Sequence, residues 1–196
     1  FIKMLMGKYR KPKEEDRIFM FLDLKDSTSI AERLGHLRYS QFIQDCFHDL
    51  NMVVLKYEAE INQYVGDEVV LPWPYSRGIT NSNCVRLFFE FQHRQLSRYG
   101  YYLCKYGTCP KFKAGIHGGA LMIAEVGFVK KQLAYHGDVI NTSARIQKQC
   151  NRFNVSLLIS EKLINDLNNN DFSASKYLGN VALKGKQKEV KIYSLL

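Results

Sequence analysis

Residues 17–24, RIFMFLDL, constrain the fold more than any other stretch of this chain. A continuous apolar run of this length, with no polar alternation, reads as a central strand buried on both faces. The run closes on an acid, Asp23, and KDSTSIAERLG follows directly. Asp26, Ser27 and Thr28 are N-cap candidates and Gly35 is a stop signal, so a helix leaves from the end of the strand.

The pattern continues to alternate. Phe42, Ile43, Phe47, Leu50, Val54 and Tyr57 recur at helical intervals and predict a second helical segment over 39–57. AEINQY and EVVLPW read as strands on either side of a Gly-Asp turn, with Pro72 and Pro74 ending the second. Residues 82–103 predict one long amphipathic helix, and KFKAGIHGGALMIAEVG reads as two strands hinged at Gly118-Gly119. QLAYHG is a short strand, and DVINTSARIQKQCN is a helix capped by Asp138. SLLIS, EKLINDLNN, YLGNVALKG and EVKIYSLL close the chain as strand, helix, strand and strand. The order is α+β, its first part resembling the β-α-β-β-α-β ferredoxin-like arrangement, with additional C-terminal strands and helices.

Composition bounds the partners. Lys and Arg outnumber Asp and Glu by 28 to 19, a formal charge of +9, which favours anionic partners without choosing among phosphates, nucleic acid and acidic lipid. Much of the excess lies in KYRKPK (8–13) and LKGKQKEVK (183–191). Residues 1–16 read as a basic linker or juxtamembrane segment and 17–196 as one folded domain. The sequence opens on Phe1 and not on methionine, so a membrane or regulatory domain upstream of residue 1 is expected. The five cysteines form no C-x-x-C pair and no zinc spacing, which fits a reducing, intracellular setting. The expected location is cytoplasmic, tethered if a membrane segment precedes Phe1; no apolar run reaches the ~20 residues needed to span a bilayer.

In the ferredoxin-like arrangement the first strand lies beside the hairpin, so Asp23 at its end falls near Asp67 in the tip of YVGDEVV. Two carboxylates suffice for Mg²⁺, which keeps several waters and is completed by substrate phosphates. With two ions about 3.5 to 4 Å apart, one activates an attacking oxygen and the other stabilises the leaving one. Glu68 alternates to the opposite face of the strand and receives no metal role. The helix start after Asp23 offers free N–H groups to phosphate oxygens. Asn141 and Arg145, at i and i+4, share a helix face. A guanidinium suits charge on a phosphoryl group, and an amide can orient a sugar. Each feature alone is ordinary, since Gly-Asp is commonly just a turn; the combination outlines a triphosphate site.

FLDLKDST, YVGDEVV, FKAGIHGG, YHGDVINTSARIQ and LKGK stand in the order and at the spacing found in class III adenylyl and guanylyl cyclases, which the chain resembles from Arg17 to Tyr193. The resemblance implies the class III nucleotidyl cyclase fold, with residues 17–196 the catalytic domain. It implies that Asp23 and Asp67, with the Leu24 carbonyl, hold two Mg²⁺ or Mn²⁺ ions. Backbone N–H groups of Lys25, Asp26, Ser27 and Thr28, and the Lys184 side chain, would receive the phosphates. Asn141 would position the ribose and Arg145 would stabilise the α-phosphate, while Gln63 and Ala134 occupy the base-reading positions. The implied reaction turns a nucleoside triphosphate, ATP by default, into a 3′,5′-cyclic nucleotide and pyrophosphate. The implied assembly is a homodimer with sites at its interface, metal acids from one subunit and the Asn/Arg pair from the other.

Three positions depart from the family. Gln63 replaces the usual lysine or glutamate, and Ala134 replaces an aspartate or threonine. Ala120 stands where some members carry a phosphate-binding arginine. A glutamine amide both donates and accepts, which leaves adenine, guanine and a pyrimidine open as the base. The departures also motivate a second reading, a catalytically silent nucleotide-binding regulatory module. A third, a ferredoxin-like RNA-binding domain, lacks the aromatic RNP strand, so no nucleic acid partner is expected. His117 and His136 sit beside glycines in strand-like runs and read as structural.

Overall fold

The computed structural model describes residues 8–167, 175–182 and 189–195. Its axis is β1 (Lys13–Leu24), whose alternate side chains enter two different cores. Ile18, Met20 and Leu22 face one, and Phe19 and Phe21 the other, so the uninterrupted apolar run is a strand covered on both sides. The remaining elements are α1 (Ser27–Val54), β2 (Gln63–Val65), β3 (Glu68–Pro74), α2 (Tyr75–Ile79), α3 (Asn83–Ser97), α4 (Tyr99–Tyr106), β4 (Phe112–Val126), β5 (Gln132–His136), α5 (Asp138–Phe153), β6 (Leu157–Ser160), α6 (Glu161–Asp166), β7 (Ser175–Ala182) and β8 (Glu189–Leu195). The eight strands form one sheet in the order β2-β3-β1-β4-β6-β8-β7, with β5 added to β4. The β4-β1-β3-β2 part is the expected ferredoxin-like core, and the fold is α+β. Helices α1, α3 and α4 cover one face through Phe42, Leu50, Phe88, Phe91 and Tyr102, and α5 covers the other through Val139 and Ile146. Among the described residues no helix is long and apolar enough to cross a membrane.

Several boundaries differ from the sequence expectation. β1 begins at Lys13, and Tyr9 is fully buried, so part of the segment expected to be a linker over 1–16 belongs to the folded unit. Arg17, only 1% exposed, explains why: its Nη2 donates to the Tyr9 hydroxyl at 3.0 Å and to Glu15 Oε2 at 2.7 Å. A buried guanidinium requires such partners. Gly35, at φ 72° and ψ 163°, does divide α1 into two helical stretches, as its reading as a stop signal expects. The predicted 82–103 helix divides into α3 and α4 at Arg98. Pro72 lies within β3, and the strand ends on Pro74 as expected.

The expected hinge at Gly118-Gly119 is absent, and β4 is one strand of 15 residues. Its small residues serve approach, not bending. A Cβ on Gly115 would stand 2.2 Å from the Gln147 nitrogen of α5, so the bare backbone is what lets α5 lie directly on β4. The cap of α5 is Gly137, with Asp138 as the first helical residue.

Candidate active site

Asp23 lies one residue before the end of β1, and its cross-strand partner in β3 is Glu68. Asp67 therefore occupies the tight turn between β2 and β3, where Gly66 at φ 62° permits the reversal. The sequence expectation brings Asp23 and Asp67 together, and the register does so. It also corrects one detail: directly paired residues share a face of the sheet, so Glu68 stands beside Asp23 and not on the opposite side. Burial raises the Asp23 carboxyl above its ordinary range and Asp67 adds to this, while Lys113 opposes it. Burial also raises Glu68, reinforced by the charges of Asp23 and Asp67.

Two cationic or amide donors answer this negative field. Lys113 Nζ lies 3.1 Å from Asp23 Oδ2, and Gln147 Nε2 donates to the same oxygen at 3.0 Å. Lys113 also donates to Asn151 Oδ1 at 3.2 Å. Asp67 Oδ2 is buried and has no hydrogen-bond partner among the described residues. A buried carboxylate oxygen without a donor is costly, and a divalent cation is the group that would satisfy it while relieving Asp23 and Glu68. Among the described residues no cluster of three or more His, Cys, Asp or Glu is built to hold a metal by itself. Two carboxylates awaiting substrate oxygens match the way Mg²⁺ is held. Leu24, whose carbonyl was the further expected ligand, is the last residue of β1, paired with Phe112.

The phosphate side is formed by the start of α1. Asp26 adopts φ 58° and makes no side-chain cap, and Ile30 N–H already bonds the Asp26 carbonyl at 3.1 Å. The N–H groups of Ser27, Thr28 and Ser29 therefore have no acceptor within the helix. Lys25 is corrected: its N–H donates to the Lys111 carbonyl at 2.8 Å and is not free for a phosphate. Lys184 lies outside the described residues.

Asn141 is exposed on α5, and Arg145 is half-buried with Nη1 enclosed and without a hydrogen bond. Gln147 reaches Asp23 from the same helix, and Arg145, two residues earlier, points roughly 200° around the axis. The chain thus turns Arg145 away from its own acids. Gln63 is exposed on β2, paired with Val70. Ala134 is half-buried on β5 opposite Ala124. Because Lys113 is the residue paired with Asp23, Ala134 stands eleven β4 positions away, roughly 36 Å along the strand. One chain does not gather both base-reading positions around one site.

Ala120 pairs with Asp16, seven positions from Lys113 along β4 and roughly 23 Å from the acids. The loss of an arginine there therefore leaves the acids untouched; the cation at them is Lys113, which the sequence reading missed. The signal was a lysine opening the strand FKAGIHGG, whose small residues bring α5, and Gln147 with it, onto the acid-bearing end of the sheet. His117 is a structural group as expected: its Nδ1 lies 2.7 Å from Ser160 Oγ, and burial, helped by Lys162, lowers its pKa to about 4.

The α+β sheet thus presents paired acids beside an uncapped helix start, groups suited to a divalent cation and to phosphate oxygens. The chain belongs to the adenylate and guanylate cyclase catalytic-domain family, whose model matches residues 10–196. It is 36% identical over 195 residues to adenylate cyclase 2 of Rhizobium meliloti (strain 1021), covering 100% of this chain and 54% of that protein. Adenylate cyclase 1 of the same organism is 25% identical over 90% of this chain and 27% of its own length. The chain therefore spans about half or less of these relatives. Among solved structures, the adenylyl cyclase CyaB from P. aeruginosa superposes with a TM-score of 0.78 at 18% identity, covering 95% of this chain and 96% of that one. The guanylate cyclase domain of RhGC from Catenaria anguillulae, solved with GTP, gives 0.71 at 14% identity over 94% and 98% of the two chains.

Proposed function

We propose that this domain is a nucleotidyl cyclase that converts ATP to 3′,5′-cyclic AMP and pyrophosphate as a homodimer. The observation that carries the reading is the Asp23–Asp67 pair, with its unsatisfied Asp67 oxygen, beside the uncapped start of α1. Asp23 and Asp67 would hold Mg²⁺ or Mn²⁺, which supplies the positive charge that favours ionisation of the 3′-hydroxyl and balances the departing pyrophosphate.

The chain's own groups do the rest. Ser27, Thr28 and Ser29 N–H groups receive β- and γ-phosphate oxygens, and Lys113, already at the acids, adds its ammonium to the same tail. Asn141 orients the ribose. Arg145 donates to the α-phosphate oxygens as the 3′-oxygen bonds to phosphorus and the bond to the β-phosphate breaks, its electron pair leaving with pyrophosphate. Because Arg145 turns away from the acids of its own chain, the arginine of a second protomer is the one that meets them, which supports a two-fold dimer. ATP is the favoured nucleotide because the relative matched over the whole chain is named an adenylate cyclase. With Ala134 offering no polar group, base selection falls to the Gln63 amide.

The test is incubation of the purified chain with each of the four ribonucleoside triphosphates and Mn²⁺, followed by separation of products. Cyclic AMP from ATP is expected, and absence of any cyclic product from all four overturns the reading in favour of a silent nucleotide-binding module. Asp23→Ala is expected to abolish turnover, and Arg145→Ala to lower kcat by about 10²-fold or more. Near-normal rates in folded variants would remove those roles.

A further inference from the structure

At the end of the sheet where β4 begins, the last turns of α3, residues 110–113 and the C-terminal end of α5 enclose a cleft of about 340 Å³. Its polar lining includes Lys25, Lys111, Lys113, Gln95, Asn151 and Asn154, and no carboxylate among the described residues lines it. Asp23 and Asp67 are not part of its wall, and Lys113 is the residue it shares with the acid pair.

Gln95 is the informative group. It is 2% exposed, lines the cleft, and its Nε2 is buried with no hydrogen-bond partner among the described residues. A buried amide donor left unpaired is a standing cost that an acceptor entering the cleft would remove. Among the described residues, Lys25 and Lys111, both in the cleft's lining, form no ion pair. Two helix C-termini approach the cleft and oppose an anion, an opposition lessened where their carbonyls are hydrogen-bonded. Asn154 and Val155 N–H groups bond Asn151 and Cys150 carbonyls, and Arg98 N–H bonds the carbonyl of Arg94. What remains is lysine ammonium and amide donors around a volume near the lower end of small-molecule pockets, roughly 300–1,000 Å³. That set asks for several acceptor oxygens and more than one negative charge.

We propose that this cleft binds a multiply charged oxyanion of the phosphate class, at a site separate from the carboxylate pair. The site stands without turnover, so its fate and that of the cyclase reading are distinguishable.

Calorimetric titration of the full chain with sodium pyrophosphate, and separately with inorganic phosphate, in EDTA tests it, because chelation withholds cations from the acids. Saturable binding of at least one anion is expected, weakened about 10-fold by Lys111→Gln, whose changed side chain is exposed, and by Gln95→Leu, with folding checked by circular dichroism. Asp67→Asn, altering the acid pair alone, is expected to leave it in place. Tighter binding of pyrophosphate than of phosphate assigns the site to a released pyrophosphate, and equal binding to free phosphate. Absence of binding of both anions, or wild-type affinity in Lys111→Gln and in folded Gln95→Leu, overturns the proposal.

Discussion

Asp67 carries a buried oxygen that nothing among the described residues satisfies, and this single atom sets two expectations. Asp23 beside it titrates above its ordinary value of 3.8, chiefly through burial. Its ionised form therefore costs the metal-free protein stability at neutral pH, a cost relieved as pH falls through the raised pKa. A bound divalent cation reverses the sign by favouring the ionised pair. Asp67→Asn is thus expected to leave Tm in EDTA unchanged or higher, and to abolish the rise in Tm that Mn²⁺ gives the wild type. In the wild type that rise should shrink as pH is lowered from 7 towards and below the pKa of Asp23, because protons and cations compete for the same oxygens. Scanning fluorimetry with and without Mn²⁺ checks both, and an intact Mn²⁺ response in Asp67→Asn would remove the metal assignment. Glu15 behaves oppositely. Burial alone would raise it, but Lys8 and Arg17 hold its carboxyl at about 2. The stability it contributes is complete above its ordinary 4.5 and is lost as pH falls towards about 2, so the penalty of Glu15→Gln in urea unfolding should fade over that window.

Elements were legible wherever one face or both faces of a segment had to be apolar, and misread where a residue type had a second use. Glycine suggested a hinge in β4, yet a Cβ at Gly118 would meet Tyr75 and one at Gly119 would meet Val139, so these glycines admit neighbours. The break at Arg98 was hidden because α3 and α4 continue one amphipathic pattern, and a long-range ionic contact joins both to α1 there. Asp49 of α1, 0% exposed, accepts from Arg94 Nε at 3.0 Å, Arg98 Nη1 at 2.5 Å and the Tyr102 hydroxyl at 2.7 Å. One carboxylate thereby fixes α1 against both helices. Asp49→Ala strands two guanidinium groups, and breaking a buried pair costs about 3–5 kcal/mol. Arg94 and Arg98 keep 33% and 27% exposure, so the loss should sit at or below the lower end of that range. Urea denaturation measures it; a change within about 0.5 kcal/mol, the size of an ordinary surface substitution, would show that apolar packing alone holds the three helices.

At the scale of the molecule, the sequence placed Asp23 and Asp67 correctly because both are local to the ends of strands that must pair. It could not place Lys113 or Gln147, whose roles arise from the β1–β4 register and from the contact of α5 with Gly115. The same contact carries the argument for assembly. Gln147 ties α5 to the acids of its own chain while Arg145, roughly 200° around the helix, faces elsewhere, so the proposed site needs a second copy. This has a quantitative consequence. Asp67→Asn homodimers should be inactive and Arg145→Ala homodimers slowed about 10²-fold or more, the first lacking the metal acid in both sites and the second lacking the arginine in both. Mixed in equal amounts and allowed to exchange, half of the dimers become heterodimers, and each heterodimer contains one intact site and one doubly defective site. Recovered activity should approach about a quarter of wild type for a two-fold dimer with sites shared between subunits. Steady-state assays of the mixture against each parent decide it: if each site were complete within one chain, mixing would restore nothing, and Arg145 would have to reach its own acids by a rotation of α5 that breaks the Gln147–Asp23 bond.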